Sequence, residues 1–231
     1  MSEKDNATPY HAADYDSSVF RTVPYYEQFY AETITLVKVM RPDVTVWLDT
    51  GCGTGGMAAR AIGHFPGACF LLADPSPAMM EQARKRFAAE PNAPVEFLAP
   101  HPTAELLAIN PAPQVVTAIQ CHHYGDETAR RQATEAVFSI LAPGGLYVTF
   151  ENFRPETPKG IAAALAMWRE FQLEQGRSPA EVEKHIGRFD KEYFPIPVTA
   201  HLALLRGCGF PVAELFWLSR MQAGFFAVKG G

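Results

Sequence analysis

The chain has 231 residues, 48% of them hydrophobic and 19% charged, with a net charge of −5. That is enough apolar material for one domain around a buried sheet, and the acidic balance lacks the clustered cations that a sequence-independent grip on nucleic acid needs. Arg84-Lys85-Arg86 is a compact basic run, but it falls on a helix whose other face is apolar, so it reads as a solvated face. The four cysteines form no C-x-x-C pair and suit a reducing compartment. Met1–Thr8 lacks the apolar stretch of a signal peptide, and no uncharged apolar run reaches membrane-spanning length. The expectation is a cytoplasmic protein with a small-molecule partner and neither nucleic acid nor membrane, for which a homo-oligomer is compatible.

In chain order, residues 1–14 read as flexible. Pro24 can open a helix through Tyr26, Phe29, Ile34, Val37 and Met40, ended at Arg41-Pro42. A strand is predicted over 44–49 and a helix over 54–64. A second strand over 69–73 runs into Asp74-Pro75, and Ser76-Pro77 make a cap and first turn for a helix with Met79, Ala83 and Phe87 on one face. Strands follow over 95–98 and 115–119, the latter opening into Gln120-Cys121-His122-His123-Tyr124. A helix with Ala129, Ala133, Val137 and Ile140 on one face leads to a strand over 145–151. The alternation of strands and helices predicts an α/β Rossmann-like, doubly wound sheet, with ligands at the carboxyl ends of its strands. From 152 to 207 the alternation stops, with helices around Ile161–Trp168, over 179–189 and up to Arg206. Two strands, 212–218 and 223–228, then form a hairpin. The whole chain reads as a single domain with seven strands and an antiparallel carboxyl-terminal edge.

The run Val46-Trp47-Leu48-Asp49-Thr50-Gly51-Cys52-Gly53-Thr54-Gly55-Gly56 is a buried strand ending in an acid and a glycine turn. Asp74 ends the next strand, where a carboxylate can accept both hydroxyls of a ribose. Gly51, Gly53 and Gly56 satisfy G-x-G-x-x-G, so the spelling alone admits NAD. Asp49, two residues before Gly51, extends the pattern to D-x-G-x-G-x-G, which resembles motif I of the class I S-adenosylmethionine-dependent methyltransferases. Leu141-Ala142-Pro143-Gly144-Gly145-Leu146 resembles the segment leading into their fifth strand. The resemblance implies S-adenosyl-L-methionine as cofactor, a hairpin closing the sheet, and residues 154–197 as a helical lid over the site.

Further segments resemble carboxy-S-adenosylmethionine synthase, a methyltransferase-like enzyme. They are Tyr15-Asp16, Arg21 to Tyr26, the stretch Phe171–Gly176 to Glu183, and His201 through Gly209-Phe210 to Trp217. This places Tyr26 beside the cofactor. The same register puts Ile186 where that family carries a lid arginine, with Arg188 two residues on. It puts Ala118 at a strand-four asparagine, and His101 at the acid that meets the adenine. With no charge partner for a carboxylated cofactor, ordinary methyl transfer is favoured, the synthase reaction being the alternative.

The expected cofactor residues are therefore Tyr26, Asp49, Gly51, Cys52, Gly53, Asp74, Pro75, His101, Ala118 and Gln120. An activated sulfonium needs chiefly alignment and exclusion of water. A base is needed only for a hydroxyl or protonated amine, and His122, His123 and Glu151 are the candidates. Cys52 is expected to lie against the methionine part rather than to react. The seven histidines show no ligand spacing, so no metal is expected. Trp168, Phe171, His185, Phe189, Tyr193 and Phe194 are candidates for an aromatic acceptor pocket, which favours a small apolar or aromatic acceptor. A nonenzymatic S-adenosylmethionine-binding protein is a further alternative.

Overall fold

Seven strands are formed by Val46–Thr50 (β1), Cys69–Ala73 (β2), Val95–Phe97 (β3), Val115–Ile119 (β4), Leu146–Asn152 (β5), Val212–Ser219 (β6) and Gln222–Val228 (β7). The computed structural model describes residues 5–106 and 108–231. The strands join one sheet in the order β3-β2-β1-β4-β5-β7-β6. β1 to β5 run parallel, and β7 returns antiparallel along β5 from Leu146↔Val228 to Asn152↔Gln222. β1 sits where the winding reverses, so a crevice opens between the loops leaving β1 and β4.

The helices are Tyr15–Val19 (α1), Tyr26–Met40 (α2), Gly56–Ala61 (α3), Pro77–Phe87 (α4), Glu127–Ile140 (α5), Pro158–Glu174 (α6), Pro179–Ile186 (α7) and Val198–Gly207 (α8). Alternate strand residues feed opposite cores. Trp47, Phe70, Ile119 and Phe150 pack with Phe29 and Val37 of α2, Met57 of α3 and Phe87 of α4. Leu48, Leu71, Ala118 and Tyr147 pack on the other face with Val137 and Ile140 of α5 and Leu205 of α8. Burying both faces is what lets the parallel strands be apolar throughout. A third cluster joins Trp168, Val182, Ile186, Tyr193 and Met221, and it holds α6 and α7 to the hairpin.

Side-chain caps fix the starts of four of these helices, α4 to α7. Ser76 Oγ accepts the Met79 N–H, Asp126 accepts the Ala129 N–H, and Ser178 with Glu181 forms a reciprocal capping box. The strands lie within one or two residues of expectation, and three helices differ in their bounds. Tyr25 has a left-handed backbone (φ 58°), so α2 begins after it rather than at Pro24. The helix expected over 54–64 ends at Ala61 and tightens into a 3₁₀ turn over Ile62–His64. α7 stops at Ile186, before Gly187.

Of the opening segment expected to be flexible, residues 1–4 lie outside the described residues, and from Asp5 on it crosses the carboxyl edge of the sheet. Asp5 accepts hydrogen bonds from Ser76 Oγ (2.8 Å) and the Ala78 N–H (2.9 Å) at the start of α4. Ala7 C=O accepts one from Arg188 Nη2 (2.7 Å).

Candidate functional site

The glycine turn after β1 is fixed by its neighbours. The Cys52 N–H donates to Ala73 C=O (3.0 Å) and the Gly55 N–H to Cys52 C=O (2.9 Å). Gly51 has φ +61°, and a Cβ there would lie 2.6 Å from Cys121 Cβ, so the turn after β4 packs directly on this backbone. Asp74 completes the turn: its carboxylate accepts the Gly53 N–H and the Ser76 N–H, each at 2.9 Å.

These loops enclose a cavity of about 360 Å³ lined by Tyr26, Asp49, Gly51, Cys52, Gly53, Asp74, Pro75 and Gln120, all expected from the sequence. Tyr15, Tyr30, Met57, Met79 and Tyr124 also line it, as do Asp5–Thr8. Met79 carried only a helix-face signal, and Tyr30 and Asp5–Thr8 carried none. Tyr15, Tyr26 and Tyr30 form a hydroxyl chain, with 3.0 Å between Tyr15 and Tyr26 and 3.1 Å between Tyr26 and Tyr30. Burial holds all three phenols protonated.

The two acids differ in what they lack. Asp49 Oδ1 accepts from Thr117 Oγ1 (2.7 Å), but Oδ2 is buried and has no partner. Burial outweighs the Thr117 hydrogen bond and pushes Asp49 up to about 7. Burial also raises Asp74, against the two backbone N–H groups that favour its charge. An orphaned carboxylate oxygen facing a cavity is a site for a cation.

Five expected residues lie elsewhere. His101 is half-exposed, faces Glu105 at 3.6 Å and does not line the cavity. Thr103 instead lines an adjoining hollow of about 340 Å³, together with Pro75, Cys121, His122 and Ala129. Ala118 faces the opposite core, because Ile119, one residue on, takes the cavity side of β4. The other three are locked in hydrogen bonds. Glu151, 2% exposed, accepts from the His122 N–H (3.2 Å), the His123 N–H (2.9 Å), His123 Nδ1 (2.6 Å) and Thr149 Oγ1 (2.9 Å). His122 is held by Thr103 Oγ1 (3.0 Å) and Tyr147 OH (3.1 Å), and His123 Nε2 meets Asn152 Nδ2 at 3.3 Å. His123 and Glu151 line none of these cavities; they build the turn after β4 from behind. Cys121, His122 and Glu151 present ligand atoms within 4.8 Å of one another, but these hydrogen bonds already occupy the histidine and the carboxylate.

Beyond Gln120 and Tyr124 the cavity continues into a chamber of about 30 Å³ lined by Trp168, His185, Arg188 and Tyr193. Ile186 packs in the lid core, as its apolar side chain demands. Arg188, 5% exposed, is the cation at this place: it bonds Glu192 (2.6 Å) and Ala7 C=O. Phe171 and Phe189 pack against the lid core, whereas Phe194 is exposed.

Residues 48–147 match the family model of a methyltransferase domain. The chain is 26% identical over 214 residues to the carboxy-S-adenosyl-L-methionine synthase of Cronobacter sakazakii, covering 91% of this chain and 85% of that one. It is 29% identical over 223 residues to the synthase of the same name from Klebsiella pneumoniae, with the same coverage. Among solved structures it is similar to an O-methyltransferase family protein from Burkholderia thailandensis, with a TM-score of 0.61, 15% identity, and coverage of 97% of this chain and 65% of that one. It is also similar to human N-acetylserotonin methyltransferase in complex with SAM, with a TM-score of 0.60, 17% identity, and coverage of 98% of this chain and 60% of that one. The chain thus spans less than two thirds of the length of either solved protein, and at these identities the likeness is one of fold. Among the described residues no helix is long and apolar enough to cross a membrane.

Proposed function

We propose that this chain, whose domain is that of a class I S-adenosylmethionine-dependent methyltransferase, transfers a methyl group to a small molecule held under the helices of residues 154–197. One observation carries the reading: a single cavity brings together Asp74, braced by two backbone N–H groups, and the unpartnered Oδ2 of Asp49. Those two acids fit the cofactor. Asp74 keeps lone pairs for ribose hydroxyls, and Asp49 Oδ2 suits the methionine ammonium. Gly51 and Gly53 bring bare backbone alongside, and the hollow beside Pro75 and Thr103 would receive the adenine.

When bound, S-adenosylmethionine supplies a methyl group already activated by a sulfonium. The protein's own work is then to orient and to exclude water. Tyr15, Tyr26, Tyr30 and Met79 wall the cavity, and the opening segment closes it, so the reacting groups meet out of bulk water. The His122 ring is held by Thr103 and Tyr147, and His123 by Glu151, so in this reading they shape the turn after β4 rather than move a proton.

The likeness to carboxy-S-adenosylmethionine synthases over 91% of the chain favours a second reading, in which the sulfonium carries a carboxymethyl group. Buried Arg188 supplies the cation that such a group requires. Titration calorimetry with S-adenosylmethionine, together with mass spectrometry of any ligand retained through purification, separates the readings. Tight S-adenosylmethionine binding and transfer of labelled methyl to an extract metabolite support the first. A retained carboxymethyl sulfonium selects the second, and binding of NAD alone defeats both.

A further inference from the structure

One wall of the cofactor cavity is tied to the sheet through side chains rather than through backbone pairing. Asp5–Thr8 and Tyr15 line the cavity, and they belong to one stretch that ends where α2 begins. Backbone hydrogen bonds from Asp14 to His11, Arg21 to Ser18 and Val23 to Val19 close inside that stretch. Its anchor is at the far end, where Val19 and Val23 are buried in the core beside α2. There Trp168 Nε1 donates to Thr22 C=O (2.6 Å), and Arg21 donates to the Gln175 and Gly176 carbonyls just past α6 (3.0 and 2.9 Å). Residues 5–18 therefore lie across the site as an arm fixed at 19–23.

Two carboxylates latch the arm, and each grips a loop that lines the cavity. Asp16 Oδ1 accepts from Thr54 Oγ1 (2.6 Å) in the glycine turn, and its Oδ2 pairs with Arg86 of α4. Arg86 Nε in turn donates to Thr54 C=O (2.7 Å), which closes a ring of three residues. Asp5 accepts the Ser76 hydroxyl and the Ala78 N–H, while the Ser76 N–H donates to Asp74. The Asp16 and Arg86 side chains are 53% and 32% exposed, so salt and solvent screen their attraction. An arm held this way opens locally at less cost than the strands behind it. An occupied site favours the latched form. Burial raises Asp74, and the Asp5 carboxylate opposes its charge further. Ribose hydroxyls donating to Asp74 offset that opposition, so cofactor and latch support one another.

Resting on the methyltransferase reading above, we propose that residues 5–18 are the gate through which the cofactor enters and leaves, swinging about residues 19–23 and latched by Asp16 on the glycine turn and by Asp5 on the head of α4. The gate unlatches for passage in either direction, so the latch governs both rates. Asp16 stands outside the cavity lining, and its influence on the cofactor runs through the latch alone.

The test uses the full chain and radiolabelled S-adenosylhomocysteine, whose lack of net charge removes salt effects on the ligand's own steering. Association is followed by rapid mixing, and release by a chase with unlabelled ligand. Asp16→Ala should speed association and release alike, each about tenfold, and leave Kd within about threefold. Raising salt from ~0.1 M to ~1 M should speed both rates in wild type and leave Asp16→Ala unmoved. Asp5→Ala should speed release more than association, because the support that the cofactor gives the latch through Asp74 is lost. Faster release with unchanged association in Asp16→Ala would mark an ordinary stabilising contact and overturn the gate. Wild-type rates indifferent to salt would overturn it as well. Unmoved rates in both variants would do the same, by sending the cofactor through the hollow beside Pro75 and Thr103. A chain that binds no S-adenosylhomocysteine would strike the methyltransferase reading and the gate with it, whereas the other failures strike the gate alone.

Discussion

Replacing Glu151 by Gln separates a structural carboxylate from a catalytic one. Four donors converge on Glu151: two backbone N–H groups, His123 Nδ1 and Thr149 Oγ1. A glutamine of the same shape offers one carbonyl oxygen and turns its NH₂ toward two of those donors. In the folded protein these hydrogen bonds, with His123 the largest contributor, overcome burial and hold Glu151 at about 2, against an ordinary 4.5. That difference corresponds to ~3 kcal/mol of stability at neutral pH. For a chain of this size each kcal/mol moves Tm by ~2–4 °C, so the variant should melt ~6–12 °C lower. Because the folded value is depressed, the contribution is present above about 4.5 and disappears as pH falls toward about 2. The gap between wild type and variant should therefore close over that window. Thermal melts across pH, with methyl transfer per folded molecule measured alongside, decide the matter. A Tm within 2 °C of wild type, or activity lost from a protein that still melts normally, would refute the structural assignment.

Asp49 works with the opposite sign: raised to about 7, it contributes most below its ordinary value, and the ligand-free protein should lose stability as pH rises through about 7. Asp49→Asn should flatten that slope in urea titrations and weaken S-adenosylmethionine about tenfold by calorimetry. Asp74→Ala should weaken the cofactor at least tenfold while leaving the far-ultraviolet spectrum intact, since one ribose contact and two backbone hydrogen bonds are lost together. Gly51→Ala forces a Cβ to 2.6 Å from Cys121 Cβ in a left-handed backbone. It should cost ~2–4 kcal/mol in the urea midpoint analysis and reduce cofactor binding.

What the sequence disclosed follows from how locally each feature is encoded. Asp49, the glycine turn, Asp74 and the Ser76-Pro77 cap sit within one strand–turn–helix–strand unit, where spacing alone fixes the geometry. The antiparallel hairpin over Val212–Val228 was legible for the same reason. Ala118 was misplaced because β4 is apolar on both faces, so nothing in Val115–Ile119 tells which residue meets the cavity. His122 and His123 looked like free bases because their partners, Thr103, Tyr147 and Glu151, lie 19 to 28 residues away. His101 missed the cavity because the segment after β3 brings Thr103 to the site and leaves His101 outside. Arg188 and the opening segment reach the site only through the tertiary fold, the latter 181 residues from its partner.

The brace that Asp5 gives α4 bears on how the molecule is handled. A fusion or affinity handle placed just ahead of residue 5 would load the same helix cap that positions Ser76 and, through it, Asp74. Lys229 and Gly230 meet Gly144 at the far edge of the sheet, ahead of β5, so appendages joined there leave the pocket's geometry alone.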